Sequence, residues 1–447
     1  MDLNTIKRHA APVPRYTSYP TAPHFHAGVD AQTYAGWLGS LPEQARISLY
    51  LHIPFCDRLC WFCACHTKQV QRYDPVKAYL EALHCEIDTV SKHLGGRGIV
   101  TSIHLGGGSP TMMAAEDMAV LRRKLDEAFA ISSDAEISVE MDPNDMTDDR
   151  YAGLQALGIT RASLGVQDFD PKVQAAINRI QTFEDTAEVV SRMRVLGVDS
   201  VNLDVLYGLP HQTLDSIRST IQQVLSIRPD RIALFGYAHV PWMKKHQTMI
   251  DEQTLPDVAE RFAQAQVAAV MLTDAGYEPI GIDHFALPDD SMTVALQAGK
   301  LRRNFQGYTV HEADALIGLG ASSIGLLPQG HVQNMPATGE YQRRVKAGEL
   351  ATVRGYALSE DDRVRAAVIE KLMCEFGFSR GWLCLRHGNA ALPVFEVANR
   401  MVAEGEFLRR HGDVYEVVPE MRAFTRQVAA RFDAFLEVGT ARHSMAV

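Results

Sequence analysis

The sequence lacks the features that would set its class at once. There is no basic excess: 44 Lys+Arg stand against 54 Asp+Glu, a net charge of −10 over 447 residues. Nucleic-acid binders carry a positive footprint, so that class is disfavoured. There is no long apolar run either. Val267–Leu272 is typical of the longest, far short of the roughly 20 residues needed to cross a bilayer. The opening "MDLNTIKRHAAPVPRY" holds no apolar segment of the kind that directs secretion. No internal repeat or low-complexity segment is visible, and no hydrophobic stripe argues for a dimer. The expectation is a cytoplasmic monomer with no membrane and no nucleic acid as partner. Cysteine is scarce too, seven in all. Cytosolic thiols stay reduced, so cysteines that do cluster point to metal or catalysis.

Four of the seven do cluster. "LYLHIPFCDRLCWFCACHTK" (49–68) carries Cys56, Cys60, Cys63 and Cys65 straight after a strand-like apolar run. Around this stretch the chain divides in three. Residues 1–45 form an arm in which prolines 12, 14, 20 and 23 are interleaved with Tyr16, Tyr19 and Phe25. That proline density favours an extended strap, packed on the main body or laid across a substrate pocket.

Residues 46–334 alternate between strand and helix patterns. Strand candidates are 47–53, 99–105, 136–141, 160–166, 199–206, 231–237 and 277–283. The clearest helix is 75–94, with Val76, Leu80, Leu83, Ile87, Val90 and Leu94 on one face. Repeated β-α units predict a parallel sheet under helical cover, open or closed into a barrel. The strands run out into polar or glycine-rich tips, "HLGGGSPT", "VEMDPN" and "LDVLYGLP" among them. Chemistry at the same end of many strands favours a parallel β/α barrel.

Residues 335–447 break the alternation. Helices are expected over "EDDRVRAAVIEKLMCEF" and "FEVANRMVAEGEF", then a hairpin turning at Gly412-Asp413 and a last helix over "MRAFTRQVAARFDAFL". Helices followed by a hairpin resemble a winged helix. With 16 Lys+Arg against 15 Asp+Glu in 331–447, a packing or lid domain is the expectation.

Three chemistries suit clustered thiols. A structural zinc site wants two ligand pairs separated by a longer loop. A CxxC redox pair at Cys60–Cys63 leaves Cys56 unexplained. An iron–sulfur cluster takes thiolates a few residues apart on one loop and fits best. Four ligands would close the cluster, leaving a plain electron carrier. Three leave one iron open.

The C-x3-C-x2-C spacing after a first strand, with Phe62 before the third cysteine, resembles the radical S-adenosylmethionine superfamily. "PRYTSYPTA", "LHIPFCDRLCWFCAC", "HLGGGSPT", "EISVEMDP", "SLGVQDF", "NLDVLYGLP", "YAHVP", "GIDHFALPDD" and "RNFQGYT" together resemble the oxygen-independent coproporphyrinogen III dehydrogenase (oxidase) family. The resemblance covers about 13–330 in order. It implies a partial β/α barrel with the cluster loop after the first strand. It implies a [4Fe–4S] cluster on Cys56, Cys60 and Cys63, with Cys65 a non-ligand. Two molecules of S-adenosylmethionine would bind. Tyr50, Gly107, Glu140 and Ile324 resemble contacts to the cluster-bound one. Phe62, Gly108, Ser109, Gln167, Arg179, Asp204 and Ala238 resemble contacts to the second. The implied reaction converts two propionates of coproporphyrinogen III to vinyls by 5′-deoxyadenosyl radical chemistry, using electrons from a reductase or flavodoxin-like donor. No side chain is assigned a catalytic role beyond the cluster and cofactor. A haem chaperone of the same superfamily and a radical enzyme for another tetrapyrrole remain open. Arg15, Arg302 and Arg303 are candidate cations for the anionic substrate.

Overall fold

The structure, a computed structural model, describes residues 3–436, the side chain of Asp145 excepted. Seven strands form the parallel heart of a twelve-stranded sheet. In spatial order they are Ala315–Leu319, Arg46–Ile53, Ile99–Gly107, Ile131–Met141, Arg161–Gln167, Ser200–Tyr207 and Arg231–Gly236. The remaining strands extend both ends in antiparallel fashion, and the sheet's first and last strands do not pair with each other. The barrel is therefore partial, as the resemblance implies.

The first strand shows why the sheet is buried on both faces. Leu49, Leu51 and Ile53 alternate with Tyr50 and His52, and none of the five is exposed. A parallel sheet covered by helices needs this, whereas a half-wet sheet would alternate apolar with polar. The first cover helix, Asp74–Leu94, buries the six residues of the expected face. It stops at Gly95, whose φ of 60° and N–H bond to Ser91 O make the usual left-handed cap.

The sequence expectation of a strand over 277–283 is corrected. That stretch yields the short Glu278–Ile280, antiparallel to His284–Ala286 at the sheet's edge. Pro279 removes a ladder donor, and Gly281 (φ 55°) turns the chain. The strand Ala315–Leu319 is an addition: its glycine-rich surroundings hide a buried parallel partner of the first strand. The expected boundary after 334 cuts a sheet, because Gly330–Asn334 pairs with Thr352–Ala357.

Beyond 357 a second core gathers helices Glu360–Glu375, Arg380–His387 and Leu392–Glu404. A three-stranded sheet includes the expected hairpin, turning at Gly412 (φ 58°). The expected last helix is shorter: a 3-10 segment Pro419–Phe424 leads into Thr425–Ala430. Residues 437–447 of the expected C-terminal domain lie outside the described residues. The arm is not wholly extended. Helices Leu3–His9 and Ala31–Gly39 flank its proline-rich middle. That middle packs Val13, Tyr16 and Tyr19 into the second core, where Tyr16 donates to Asp433 at 3.0 Å.

Candidate active site

The cluster loop leaves the first strand at Phe55–Cys56 and is held from several sides. Trp61 N–H donates to Ile177 O and Asn178 to Leu59 O, both at 2.9 Å. From the far side, His246 Nε2 lies 2.7 Å from Cys63 O and Lys244 donates to Cys65 O at 2.8 Å. The buried Gln247 donates to Phe62 O and Ala238 O, tying the loop to the tip of strand Arg231–Gly236. None of these three anchors was singled out from sequence, because a lone histidine, lysine or glutamine in a turn carries no spacing signal.

Cys60 is buried, Cys56 and Cys63 half-buried, and Cys65 exposed to the cavity below. Burial pushes the Cys56 thiol up to about 12 and raises Cys60 as well. Cys63 is instead lowered, because Cys65 hydrogen-bonds to it through thiol and N–H. Arg179 aims Nη1 at Cys60 Sγ, 3.7 Å away. Among the described residues no three His, Cys, Asp or Glu groups converge to hold a single ion, so the fit rests on donor chemistry. Thiols clustered on one loop, one already facing a guanidinium, suit a multi-iron cluster whose positive irons offset the burial of thiolates.

The glycine-rich turn lies beside this loop. Gly108 N–H donates to Ile53 O and Ser109 N–H to Phe55 O. A Cβ on Gly108 would sit 2.5 Å from Phe55 O, and one on Gly107 (φ 106°) 2.3 Å from the His52 ring. Both positions need glycine, for close approach and for backbone conformation. Glu140, on the second strand over from the cluster loop's own, accepts from Gly107 N–H at 2.9 Å and lies 3.1 Å from His104 Nε2. Burial opposes its charge, but His104 and the Gly107 N–H hold it below the usual carboxylate range. Tyr50 stacks on His104, ring centroids 5.8 Å apart. Its hydroxyl meets His52 Nδ1 at 2.9 Å while His52 Nε2 faces His66 O. A carbonyl only accepts, so Nε2 carries the proton and Nδ1 accepts from Tyr50. Burial lowers His52 to about 4 and keeps it neutral. Ile324 lies over Gly318, the register partner of Tyr50.

Phe62, Gln167, Asp204 and Ala238 meet in one cavity of about 620 Å³ at the mouth of the sheet. Gln167 holds a left-handed φ of 67° where its strand slips register against the next, a strained geometry that recurs at functional sites. Asp204 accepts from Asn202 at 2.7 Å, and burial raises it to about 7. Arg179 lies outside this cavity's lining, bonded to Asp142, Gly165 O and Gln181. Gly108 and Ser109 likewise stitch the turn to the loop. Arg15 and Arg303 do line the cavity, whereas Arg302 pairs with Glu312 and Glu370.

A cysteine-rich loop at the carboxyl ends of a partial β/α barrel, beside a cofactor-sized mouth, defines a radical S-adenosylmethionine enzyme. The Radical SAM superfamily model matches residues 50–224. An oxygen-independent coproporphyrinogen III oxidase of Bradyrhizobium diazoefficiens is 50% identical over 97% of both chains, and that of Escherichia coli 39% identical over 84% of this chain and 82% of its own. The solved structure of the Escherichia coli coproporphyrinogen III oxidase, described as a radical SAM enzyme, superposes with a TM-score of 0.90. It is 35% identical, over 97% of this chain and 99% of that one. The chain belongs to the oxygen-independent coproporphyrinogen III oxidase family. It is a radical S-adenosylmethionine oxidoreductase that uses a [4Fe–4S] cluster and two molecules of S-adenosylmethionine. No helix among the described residues is long and apolar enough to cross a membrane.

Proposed function

We propose that the site converts two propionates of coproporphyrinogen III to vinyls, with the residue roles that follow. Each conversion removes one hydrogen atom, one carbon dioxide and one further electron. The cluster and S-adenosylmethionine, when bound, supply the one-electron cleavage that makes an unactivated C–H bond reactive. The chain supplies position and charge. Cys56, Cys60 and Cys63 hold the cluster, and Cys65 does not. Tyr50, Gly107, Glu140 and Ile324 border the cluster-bound S-adenosylmethionine, with the ionised Glu140 offering an acceptor to its ammonium or hydroxyls. Phe62, Gly108, Ser109, Gln167, Asp204 and Ala238 border the second, and Arg179 serves from behind Cys60.

The observation that carries this reading is a single cavity shared by Phe62 and Cys65 of the cluster loop, Asp204 of the sheet and Arg15 of the strap. A reductase or flavodoxin-like protein is the proposed electron donor, and the chain is proposed to work as a cytoplasmic monomer. The test is an anaerobic assay with reductant, S-adenosylmethionine and coproporphyrinogen III. Protoporphyrinogen IX with release of 5′-deoxyadenosine is the expected result. Deoxyadenosine without a vinyl product, or tight haem binding without turnover, overturns it.

A further inference from the structure

We propose that Arg15, Arg303 and Arg426 form one carboxylate cradle, which grips the propionates the reaction leaves in place and draws three parts of the chain together around them. This rests on the tetrapyrrole reading above. The three come from separate segments: Arg15 from the proline-rich strap, Arg303 from the strand Arg302–Asn304, and Arg426 from the helix Thr425–Ala430. All three line the same cavity of about 620 Å³.

Among the described residues, three guanidiniums share one nearby carboxylate, Asp283, which lines the cavity with them. Arg15 donates through Nη2 to Gly236 O at 2.7 Å, a carbonyl with no formal charge. Arg303 lies with its guanidinium carbon 4.6 Å from the Tyr308 ring centre. Its Nε and Nη1 are buried without a hydrogen-bond acceptor. Buried donors are nearly always satisfied, and an exception invites a missing partner. Asp283 is the carboxylate that all three feel. It is already engaged by His284 at 2.7 Å. Burial lowers Arg15 and Arg426, the latter to about 10; Arg426 also feels the positive charges of Arg15 and Arg303, and Arg15 that of Arg303. Like charges are held close in a cavity of low polarity, a cost that an incoming anion removes.

Planar guanidiniums bind carboxylates through paired N–H donors. The cavity also presents Phe262, Phe305 and Phe376, apolar surface suited to a macrocycle. Asp204 belongs to a different electrostatic neighbourhood, since the charges it feels are Glu140 and His104. Once ionised, that group repels carboxylates, so the substrate's anions collect at the cradle while the reacting arm points toward the cofactor residues. Arg302 shows the contrast. It has two carboxylate partners, Glu312 and Glu370, and is outside the cradle.

The test uses coproporphyrin III, the stable oxidised macrocycle with the same four propionates, and its tetramethyl ester. Binding to the full-length protein is followed by fluorescence. The wild type is expected to bind the acid about 100-fold more tightly than the ester, and Arg303→Met or Arg426→Met to weaken acid binding by about tenfold or more, with ester binding unchanged. Arg302→Met leaves both affinities in place. In turnover the two variants raise KM for coproporphyrinogen III, with kcat and deoxyadenosine per product conserved. Amide exchange over 11–18 slows when coproporphyrin III binds. Equal binding of acid and ester by the wild type overturns the cradle without any variant having to fold. Unchanged KM in folded variants overturns it while the reaction stands. Acid-selective binding with no vinyl product leaves the cradle and removes the function proposed above.

Discussion

Arg179 Nη1 lies 3.7 Å from Cys60 Sγ and 2.8 Å from Asp142 Oδ2. One guanidinium thus faces both the Cys60 sulfur and a buried carboxylate. Hydrogen bonds and nearby charge set the potentials of iron–sulfur centres. Arg179→Gln removes the positive charge and strands Asp142 beside the loop, and both changes disfavour an added electron. The reconstituted variant is expected to keep its iron and to show a reduction potential lower by on the order of 60 mV, a tenfold bias for a one-electron couple. Adding Asp142→Asn should recover part of that shift. A redox titration reads both. Equal potentials in wild type and single variant would show that Arg179 acts on the loop's fold alone.

Glu140 joins Gly107 N–H to His104 and stays ionised although buried. Glu140→Gln keeps an acceptor for the Gly107 N–H but loses the charge. S-adenosylmethionine affinity should fall about tenfold, the scale of one charge-assisted hydrogen bond, while coproporphyrin III binds as before. Equilibrium dialysis measures the first and fluorescence the second. A wild-type dissociation constant would reduce Glu140 to a brace for the glycine turn.

The cluster loop was legible because cysteine spacing is local. The helix Asp74–Leu94 was legible because its apolar face repeats at helical period. What sequence obscured is long-range or compositionally quiet. Ala315–Leu319 pairs with a strand more than 260 residues earlier, and its glycines mask a buried strand pattern. Arg426 sits in a stretch read only as the last helix. Nothing in that stretch reveals that it meets Arg15 across a cavity. The antiparallel extension of the sheet continues across 334 through Thr352–Ala357, where no β-α alternation marks it. The strap's second role, packing Tyr16 and Tyr19 into the C-terminal core, is invisible for the same reason.

Glu86 shows how that extension is fastened. It is fully buried on Asp74–Leu94. It accepts from Gly320 N–H, Asn334 Nδ2 and Tyr341 OH, each at 2.6 Å. Tyr341 lies on the helix Thr338–Lys346, so the carboxylate clasps residues on both sides of 334. Glu86→Ala leaves three buried donors with one acceptor fewer. The expected cost is about 3 kcal/mol, since each stranded group forfeits about 1–3 kcal/mol and some will find water. The cofactor-free variant should melt earlier and lose amide protection over 338–346 first. Melting at the wild-type temperature would mean that apolar packing alone carries the junction.

Asp204 is raised to about 7 by burial, against an ordinary 3.8. Its folded form therefore binds a proton that the unfolded chain has already released, over roughly pH 4 to 7. Stability must fall as pH rises through that window and level off above it. Ligand binding has the opposite sign if the ionised carboxylate receives an ammonium or hydroxyl of the second S-adenosylmethionine. Affinity at that site should then rise by up to about tenfold between pH 6 and 8, approaching a plateau once Asp204 is ionised. Asp204→Asn should bind weakly and flatten the profile while the affinity of the cluster-bound molecule is retained. Equilibrium dialysis across this pH range resolves the two sites by their affinities. A wild-type profile that stays flat, or an Asp204→Asn profile that still climbs, would place the titrating group elsewhere and leave Asp204 as a buried acid that only orients Asn202.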